Sequence, residues 1–468
     1  MTERVVAREI AEYVRRLRYE DLPAETVEVA KEAVLDQFGI MLRGSTLPWT
    51  RAAFELAVDL GSTPRSTIVG SGRRVSVPDA AMVNATYGHS CESDDSGYSG
   101  SSHAGAIAIP AALALAEAGR VSGQRFLLAV VAAYQVLYLI GRVLSKSLLK
   151  TGYHHQGVLG PFGAAAAAIT LLDLDAEQSV HALSIAGSHS SGTTEYDQSG
   201  GEVKRFHSGM AARAGIVAAL LAQRGLTGPP TIIEGKRGIL WTFGRLDDAD
   251  GVLEGLDDTS WFAIQGRTTK MFPTAGGVLT SLQAMIELVR AHRFDADDVE
   301  RIDAWVDPLI VGHGAAIVEP HDTIGAQFSL AFSLGLRLVT GRNELGDYMS
   351  RDRWAEPAIL SIARLLRVHA HPPAMAADAT SLFNETATVR VTLRDGRVLE
   401  ATERHRRGSP QNPVTREELL DKFRRFARPV LDDEAMREVV ANVDRLDEVE
   451  DVATVLPLLA GRRPRRPR

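Results

Sequence analysis

The sequence predicts a mainly α protein, in which a large all-helical domain carries an inserted α+β domain. Apolar residues recur at helical spacing in the first 265 residues, for example at Val27, Val34 and Phe38, and no sustained apolar–polar alternation occurs there. Strand-like alternation begins only after about residue 266. Helical periodicity returns beyond Pro413, so we expect the final segment to rejoin the first helical domain.

The length of the chain indicates more than one folding unit. Its 468 residues exceed what a single hydrophobic core usually serves. We predict that residues 1–265 form the first part of the helical domain, 266–405 the α+β domain, and 406–456 the returning helical part. The basic, proline-containing end, 457–468, is predicted to be a disordered tail.

Several helix ends are marked by residues with a known preference for those positions. The first long helix is predicted to begin near Pro23, which suits a first turn, and to stop at Gly44. Ser122 precedes a long apolar stretch as a helix cap. Asp175 and Gln178 have the spacing of a capping box.

Two segments of the inserted domain alternate as strands do. They are Arg301 to Val306 and Thr386 to Leu393. The second is followed by Asp395-Gly396, a pair typical of tight hairpin turns. We therefore predict a hairpin at this point of an α+β domain.

Composition excludes several classes of protein. A net charge of −7 gives no sign of a nucleic-acid-binding surface. Cys91 is the only cysteine, so no disulfide can form within the chain, and we expect it to be a packing residue in a reducing compartment. The first helix is charged and amphipathic, unlike a secretory signal. The apolar run Phe126 to Ile140 is shorter than a membrane span and is predicted to be a buried helix.

The acidic stretch from Asn84 to Gly105 is the first candidate site. It follows a predicted helix, Pro78 to Tyr87, and combines two histidines with Glu92, Asp94 and Asp95 among small residues. Three ionised carboxylates in a closed site would repel one another unless cations, hydrogen bonds or shifted pKa values intervened. The alternative is a solvated acidic loop, which this stretch alone does not exclude.

A second candidate lies at 152–157, ahead of an alanine-rich helix predicted for 160–172. It contains His154 and His155 between glycines. Histidine suits proton exchange near neutral pH, although the ring could equally be a hydrogen-bonded turn residue. A metal site is disfavoured, because the sequence has no His-x3-His pattern and no accompanying cysteines.

A third candidate lies at 200–209, before a helix predicted for 208–224. Lys204, Arg205 and His207 near a helix N-terminus would suit a carboxylate or a phosphate. A solvated basic turn is the alternative.

A lysine also precedes a proline and small residues in the stretch 269–277. Lys270 could bind an anionic substrate there, although the stretch alone is weak evidence. The sequence has no Walker A motif, no dinucleotide-binding glycine motif after a strand, and no Gly-x-Ser-x-Gly elbow. Nucleotide-driven chemistry and hydrolase chemistry of that kind therefore lose support.

Several long blocks resemble one family. The blocks NATYGHSCESDDSGYSGSSHAG, GYHHQGVLGPFGAAAAAITLL, GGEVKRFHSGMAARAG, TKMFPTAGG and GSPQNP are similar to the MmgE/PrpD family, and the resemblance extends to about residue 456. It implies a helical domain built from both ends of the chain, an inserted α+β lid, and usually a homodimer. It implies no metal, iron–sulfur cluster or nucleotide.

The activities of this family share removal of a proton from the carbon next to a carboxylate. Loss of water, loss of CO2 or return of the proton to the other face follows, as in 2-methylcitrate dehydratase, cis-aconitate decarboxylase and iminodisuccinate epimerase. The family's site motifs fall on these residues of the chain: His89, Glu92, Asp94, Asp95, Ser96, His103, Gly152, Tyr153, His154, Lys204 and Lys270.

The chain also departs from the family pattern. Glu92 replaces an aspartate, Ser96 replaces a threonine and His155 replaces a proline. Decarboxylase-like members have a histidine where this chain has Ala275, and a tyrosine where it has Phe332. Alanine cannot transfer a proton and phenylalanine cannot donate a hydrogen bond, so these two departures disfavour cis-aconitate decarboxylation.

We therefore predict a cofactor-independent hydro-lyase of the 2-methylcitrate dehydratase type, acting on a small hydroxy-carboxylic acid. His103 and His154 are expected to exchange protons, while Glu92 and Asp95 orient them or contact the substrate hydroxyl. The expected substrate-binding residues are Lys204, Lys270, His89, Ser96, Tyr153 and His207. No metal or other cofactor is predicted.

Three alternatives stay open at this point: an epimerase, a decarboxylase on a related di- or tricarboxylate, and a non-catalytic ligand-binding homologue. We expect a cytoplasmic homodimer whose partner is a small carboxylate, with neither nucleic acid nor membrane as a partner.

Overall fold

The computed structural model describes residues 4–97, 103–312, 314–315, 317–372 and 385–461. Helices predominate among them, which confirms the predicted mainly α class.

The helices of the described residues are α1 Val6–Arg16, α2 Ala24–Gly44, α3 Arg51–Asp59, α4 Val77–Gly88, α5 Gly105–Gly119, α6 Gly123–Thr151, α7 His155–Leu172, α8 Ala176–Ser188, α9 Tyr196–Ser199, α10 Val203–Gln223, α11 Ile239–Gly244, α12 Ala249–Leu253, α13 Gly276–His292, α14 Pro308–Val311, α15 Thr323–Phe328, α16 Leu330–Thr340, α17 Leu345–Tyr348, α18 Arg351–Trp354, α19 Pro357–Ala363, α20 Arg416–Ala427 and α21 Asp433–Asp444. The strands are β1 Ser66–Thr67, β2 Arg74–Val75, β3 Ser96–Gly97, β4 Arg267–Thr268, β5 Val299–Val306, β6 Leu366–Ala370, β7 Ala387–Leu393 and β8 Val398–Glu403.

The chain forms two compact units. Unit 1 comprises the described residues of Met1–Thr194, Val203–Arg267 and Thr415–Arg468, and unit 2 comprises those of Glu195–Glu202 and Thr268–Val414. Unit 1 thus contains segments from both ends of the chain. Unit 2 includes two short segments that the sequence assigned to the helical domain, Glu195–Glu202 and 406–414.

The caps predicted from the sequence are present in unit 1. The hydroxyl of Ser122 accepts a hydrogen bond from the backbone of Arg125 at the start of α6. Asp175 and Gln178 form the expected capping box of α8. The predicted buried helix corresponds to α6, and although α6 and α7 are long and apolar enough to cross a membrane, most of their residues are buried inside the protein.

Small residues let α7 and α10 approach closely in a parallel arrangement. A Cβ added to Gly215 of α10 would lie 2.4 Å from the carbonyl oxygen of Pro161 and 2.5 Å from the Cβ of Ala164. Alanines 164–168 of α7 are fully buried. Because the helices run in the same direction, their N-terminal turns lie side by side, and this pairing brings His154 and His207 together.

Helix α20, in the C-terminal segment, packs on α2. Phe423 contacts Gly39, and the buried ammonium of Lys422 binds the carboxylate of Asp36 at 2.7 Å. The predicted tail is wrong at its start: Leu459 is fully buried and its carbonyl accepts a hydrogen bond from the backbone of Gly70. Apolar residues therefore hold the chain in unit 1 to residue 460, and residues 462–468 lie outside the described part.

Unit 2 contains a four-stranded sheet in the order β6-β5-β7-β8. β5 and β6 are parallel, whereas β7 pairs antiparallel with β5 and β8. The predicted hairpin is confirmed, with Gly396 at φ 89° in the turn between β7 and β8. Apolar residues of α13, including Leu282 and Met285, share a buried core with Val389 and Val391 of the sheet.

Candidate active site

Four histidines of unit 1 lie together, and we call His89, His103, His154 and His207 the imidazole cluster. The ring centroid of His89 lies 4.9 Å from that of His103 and 5.8 Å from that of His154. The His154 and His207 centroids are 5.1 Å apart. The first and last members, His89 and His207, are far apart in the sequence. The fold, and not a local motif, therefore brings the four rings together.

Each member has a defined place at the end of a helix. His89 directly follows α4, His103 lies two residues before α5, and His154 is the residue before α7. Lys204 and His207 lie three residues apart in the first turns of α10, so they share one face of that helix. The ends of four helices, α4, α5, α7 and α10, thus meet at the cluster.

The carboxylate of Asp94 orients two of the imidazoles. Its Oδ2 atom accepts a hydrogen bond from Nδ1 of His89 at 2.6 Å and lies 3.3 Å from Nδ1 of His103. The same His103 nitrogen donates to the backbone carbonyl of Asp95 at 2.7 Å. Because a carbonyl oxygen can only accept, Nδ1 of His103 carries the proton, and Nε2 is the nitrogen that can accept one.

Lys204 and Glu92 form a buried ion pair beside His89. Their side chains contact directly, and both are almost fully buried. The Lys204 ammonium also lies 3.5 Å from Nε2 of His89. Glu92 adopts a φ of 54°, which is uncommon for a residue with a side chain and is a sign of local backbone strain. A continuous chain of contacts therefore runs from Asp94 through His89 and Lys204 to Glu92.

His154 and His207 contact each other through the Nδ1 atoms of their rings. Their Nδ1 atoms are 2.9 Å apart, within hydrogen-bonding distance. A bond between two imidazole nitrogens needs one proton, so one ring donates through Nδ1 while the other accepts. His154 is buried and His207 is half-buried.

Two further polar groups support His103 and its neighbours. The side-chain amide of Gln156 accepts from the backbone nitrogen of His103 and donates to its carbonyl, both at 3.1 Å. The same amide donates to the hydroxyl of Ser208 at 2.8 Å. The carboxylate of Asp95 accepts from the hydroxyl of Tyr134 at 2.6 Å and from the backbone of Gly105 at 3.0 Å.

Burial favours the neutral form of three members of the imidazole cluster. It lowers the pKa of His89 and holds the pKa of His154 well below its usual range, and the charge of Lys204 acts in the same direction on both. For His207, burial and the charge of Lys204 lower the pKa to about 4. Burial acts in the opposite sense on the carboxyl of Asp95 and raises its pKa to about 6. Neutral imidazoles at pH 7 can accept protons, as general bases must.

One group of described residues has metal-ligand geometry. The ligand atoms of His89, Asp94 and His103 all lie within 4.8 Å of one another. In the structure these atoms already hydrogen-bond through the protons of the two imidazoles, and a metal ion would have to displace both protons. The absence of a metal therefore stays a prediction, which metal analysis can test.

The structure brings together six of the residues proposed from the sequence. They are His89, Glu92, His103, His154, Lys204 and His207.

The other four proposed residues have different surroundings. Asp95 contributes its carbonyl to His103, while its carboxylate binds Tyr134. The half-buried Ser96 lies in β3, and the ring of Tyr153 packs edge-on against Phe243. Lys270 is buried and belongs to unit 2. Substrate contacts of Ser96, Tyr153 and Lys270 stay predictions.

The sequence interpretation placed Asp94 in the candidate stretch without a specific role, and it left Gln156 and Tyr134 out of the predicted site. Asp94 stood among three acidic residues, and nothing in the sequence distinguished it from Asp95. A polar Gln156 in an otherwise apolar, glycine- and alanine-rich helix was a usable signal, because a buried amide needs hydrogen-bond partners. Tyr134 offered a similar signal within the apolar run of α6.

Comparison with known proteins identifies the family. The MmgE/PrpD N-terminal domain matches residues 8–250, and the MmgE/PrpD C-terminal domain matches residues 272–446. The chain belongs to the MmgE/PrpD family. This confirms the resemblance seen in the sequence.

Relatives within the MmgE/PrpD family match over almost their entire length. The cis-aconitate decarboxylase-like protein oryM of Aspergillus oryzae is 26% identical, over 97% of this chain and 97% of the relative. A cis-aconitate decarboxylase of Aspergillus terreus is 27% identical, over 97% and 96%. The cis-aconitate decarboxylase of Mus musculus is 26% identical, over 97% and 93%.

Proposed function

We propose that this MmgE/PrpD protein is a cofactor-independent lyase acting on a small hydroxy-substituted di- or tricarboxylic acid. It removes a proton from the carbon next to a carboxylate and expels the neighbouring hydroxyl group as water. The observation that carries the proposal is the imidazole cluster, in which the neutral rings of His89 and His154 lie near the buried cation of Lys204.

His103 is the proposed base. Its Nδ1 proton is held by the carbonyl of Asp95, so Nε2 is the nitrogen that takes the proton from carbon. Asp94 lies 3.3 Å from the same Nδ1 and stabilises the imidazolium that forms. This division of work, with a carboxylate orienting a histidine base, is a general arrangement for proton transfer.

His154 is the proposed acid that protonates the departing hydroxyl group. The proton taken from carbon and the proton given to oxygen then balance, and water leaves. The two steps can belong to different rings only if the two rings have different partners. Nδ1 of His103 bonds to the carbonyl of Asp95, whereas Nδ1 of His154 contacts Nδ1 of His207.

Lys204 supplies the positive charge that carbanion formation requires. A carboxylate next to the reacting carbon resists further negative charge, and a neighbouring ammonium offsets that resistance. In the structure the carboxylate of Glu92 is paired with the Lys204 ammonium. A bound substrate carboxylate would share this contact or replace it.

Decarboxylation is the second candidate, because the relatives described above are named cis-aconitate decarboxylases or decarboxylase-like. The resemblance noted in the sequence implies that Ala275 and Phe332 stand where decarboxylase-like members have histidine and tyrosine. Both residues are buried in unit 2, where Phe332 packs edge-on against Tyr348. Neither can exchange a proton, so dehydration is the reaction we favour.

A substrate panel tests the proposal. The purified protein is incubated with 2-methylcitrate, citrate, the aconitate isomers and related acids, and the products are followed by ultraviolet absorbance, CO2 release and mass spectrometry. We expect a new carbon–carbon double bond without CO2 release. CO2 release would favour the decarboxylase, and inversion without either would favour an epimerase.

Two variants accompany the panel. His154→Ala should lower kcat by about 10²–10⁴-fold, the usual contribution of a general acid or base. His189→Gln is the control, because His189 is exposed at the end of α8 and its Nδ1 binds the carbonyl of Ile185. A parent protein that converts no acid of the panel, yet binds one, would contradict the proposal and support a ligand-binding homologue.

A further inference from the structure

The contact between His154 and His207 raises a question of proton supply. Both rings are neutral at pH 7, because burial and the charge of Lys204 lower the pKa of each. A neutral imidazole is a very weak acid, since loss of its only N–H proton would leave an anion. His154 can protonate a leaving group only if its other nitrogen gains a proton in the same event.

His207 has the geometry to supply that proton. Its Nδ1 atom lies 2.9 Å from Nδ1 of His154, the nitrogen that would otherwise be left without a proton. Unlike the buried His154, His207 is only half-buried. The pair therefore joins an enclosed ring to a residue that is partly exposed.

The backbone at Gly192 fixes both rings. Its carbonyl accepts a hydrogen bond from the backbone nitrogen of His154 at 3.0 Å. A Cβ added at Gly192 would lie 3.3 Å from ring atoms of His207, and the residue has a φ of 98°, where side chains are rarely tolerated. Gly192 thus contacts both histidines and limits how far they can move relative to each other.

We propose that His154 and His207 form a two-imidazole proton relay that connects the substrate with solvent. The inference rests on the proposed function and goes beyond it by giving His207 a role other than substrate binding. Nε2–H of His154 passes its proton to the leaving hydroxyl group. Nδ1–H of His207 passes its proton to Nδ1 of His154, and water delivers a proton to Nε2 of His207. One proton moves from solvent to substrate, and no ring becomes an anion.

Two substitutions separate a relay from a fixed hydrogen bond. His207→Gln retains an amide that can bond to His154 but cannot pass a proton along. We expect kcat to fall by about 10²-fold or more while KM changes little, since the lost step belongs to the transition state. The kcat of His207→Ala should fall by a similar factor, and this substitution should leave a cavity open to solvent.

Added imidazole is the decisive reagent. It should restore part of kcat in His207→Ala by occupying the cavity, and it should have no effect on His207→Gln or on the control His189→Gln. Circular dichroism and thermal unfolding check that each variant is folded. A separate readout is the ¹⁵N spectrum of histidine-labelled protein, in which the parent should contain one shared Nδ1 proton that His207→Gln lacks.

The outcomes distinguish the relay from the function on which it rests. An active parent with His207→Gln turning over at the parental rate overturns the relay alone. Loss of activity in His207→Ala without rescue by imidazole, in a folded protein, also overturns it. A parent that converts no acid of the panel overturns the proposed function, and the relay with it.

Discussion

Asp94 and Asp95 are adjacent in the chain but have different partners. The side chain of Asp94 orients His89 and approaches His103, whereas the side chain of Asp95 binds Tyr134 and the backbone of Gly105. The sequence could show that carboxylates and histidines were concentrated here. It could not show which carboxylate faced the rings, because that depends on the unusual backbone conformation at Glu92.

The raised pKa of Asp95 predicts a measurable effect on stability. Its pKa rises from 3.8 to about 6 on folding, so between these pH values the folded protein keeps a proton that the unfolded chain has lost. The free energy of unfolding should therefore decrease as the pH rises through this window, by about 2–3 kcal/mol from this group.

Urea unfolding of the parent and of Asp95→Asn at pH 4.5 and pH 7.5 measures this contribution. We expect Asp95→Asn to lose less stability than the parent across the window, while the exposed helix variant Asp59→Asn follows the parent. Parallel pH profiles of the parent and Asp95→Asn would contradict the assignment.

Chelation tests whether His89, Asp94 and His103 act through hydrogen bonds or through a metal. We expect full activity after prolonged dialysis against EDTA, because protons already bridge these side chains. Elemental analysis of the same sample gives the metal content. Loss of activity that zinc or another divalent cation restores would show that a metal belongs to the site.

At the scale of elements, the sequence predicted helices with strong caps better than those without them. The starts of α6 and α8 were predicted correctly, because Ser122 and Asp175 each accept a hydrogen bond from the first turn. The start of α10 was placed too late, at Ser208, because serine is a common cap. The helix begins at Val203, and Ser208 instead binds Gln156 from within it.

The packing of α20 on α2 links the C-terminal segment to the site. The ammonium of Lys422 binds Asp36 at 2.7 Å and the carbonyl of Ser93 at 2.8 Å, and it is almost fully buried. Ser93 lies between Glu92 and Asp94, so this hydrogen bond from Lys422 fixes the backbone of the acidic loop. A role of α20 in positioning the site was not visible in the sequence.

We predict that Lys422→Met destabilises the protein by about 3–5 kcal/mol, because it leaves the carboxylate of Asp36 buried without its cation. The matched control is Arg424→Met on the same helix, whose ion pair with Asp421 is exposed and should contribute less than about 1 kcal/mol. Urea unfolding measures both. Equal, small effects of the two substitutions would show that the buried pair is not required.

At the scale of the whole molecule, composition and periodicity were sufficient for the fold class. The change from helical spacing to alternation near residue 266 lies close to the start of the main segment of unit 2 at Thr268. The short segment Glu195–Glu202, which also belongs to unit 2, was not predicted, because eight residues carry no periodic pattern. Long-range contacts of this kind become visible only in the folded chain.

The family resemblance leads us to predict a homodimer. Light scattering coupled to size-exclusion chromatography should give a mass of twice 50.6 kDa. Because dimer formation depends on concentration, the measurement is repeated over a tenfold dilution. A mass near that of a single chain throughout would contradict the prediction.

The central claim is that the imidazole cluster moves protons at a carbon next to a carboxylate, and deuterium exchange tests it most directly. The unsaturated product of an acid that the parent dehydrates is incubated with the protein in D2O, and the acid formed by the reverse, hydration reaction is examined by NMR and mass spectrometry. We predict carbon-bound deuterium with the parent and with His189→Gln, and incorporation at least about 10²-fold slower with His103→Gln. Deuterium on a carbon other than the one next to a carboxylate, or equal incorporation by His103→Gln, would contradict the claim.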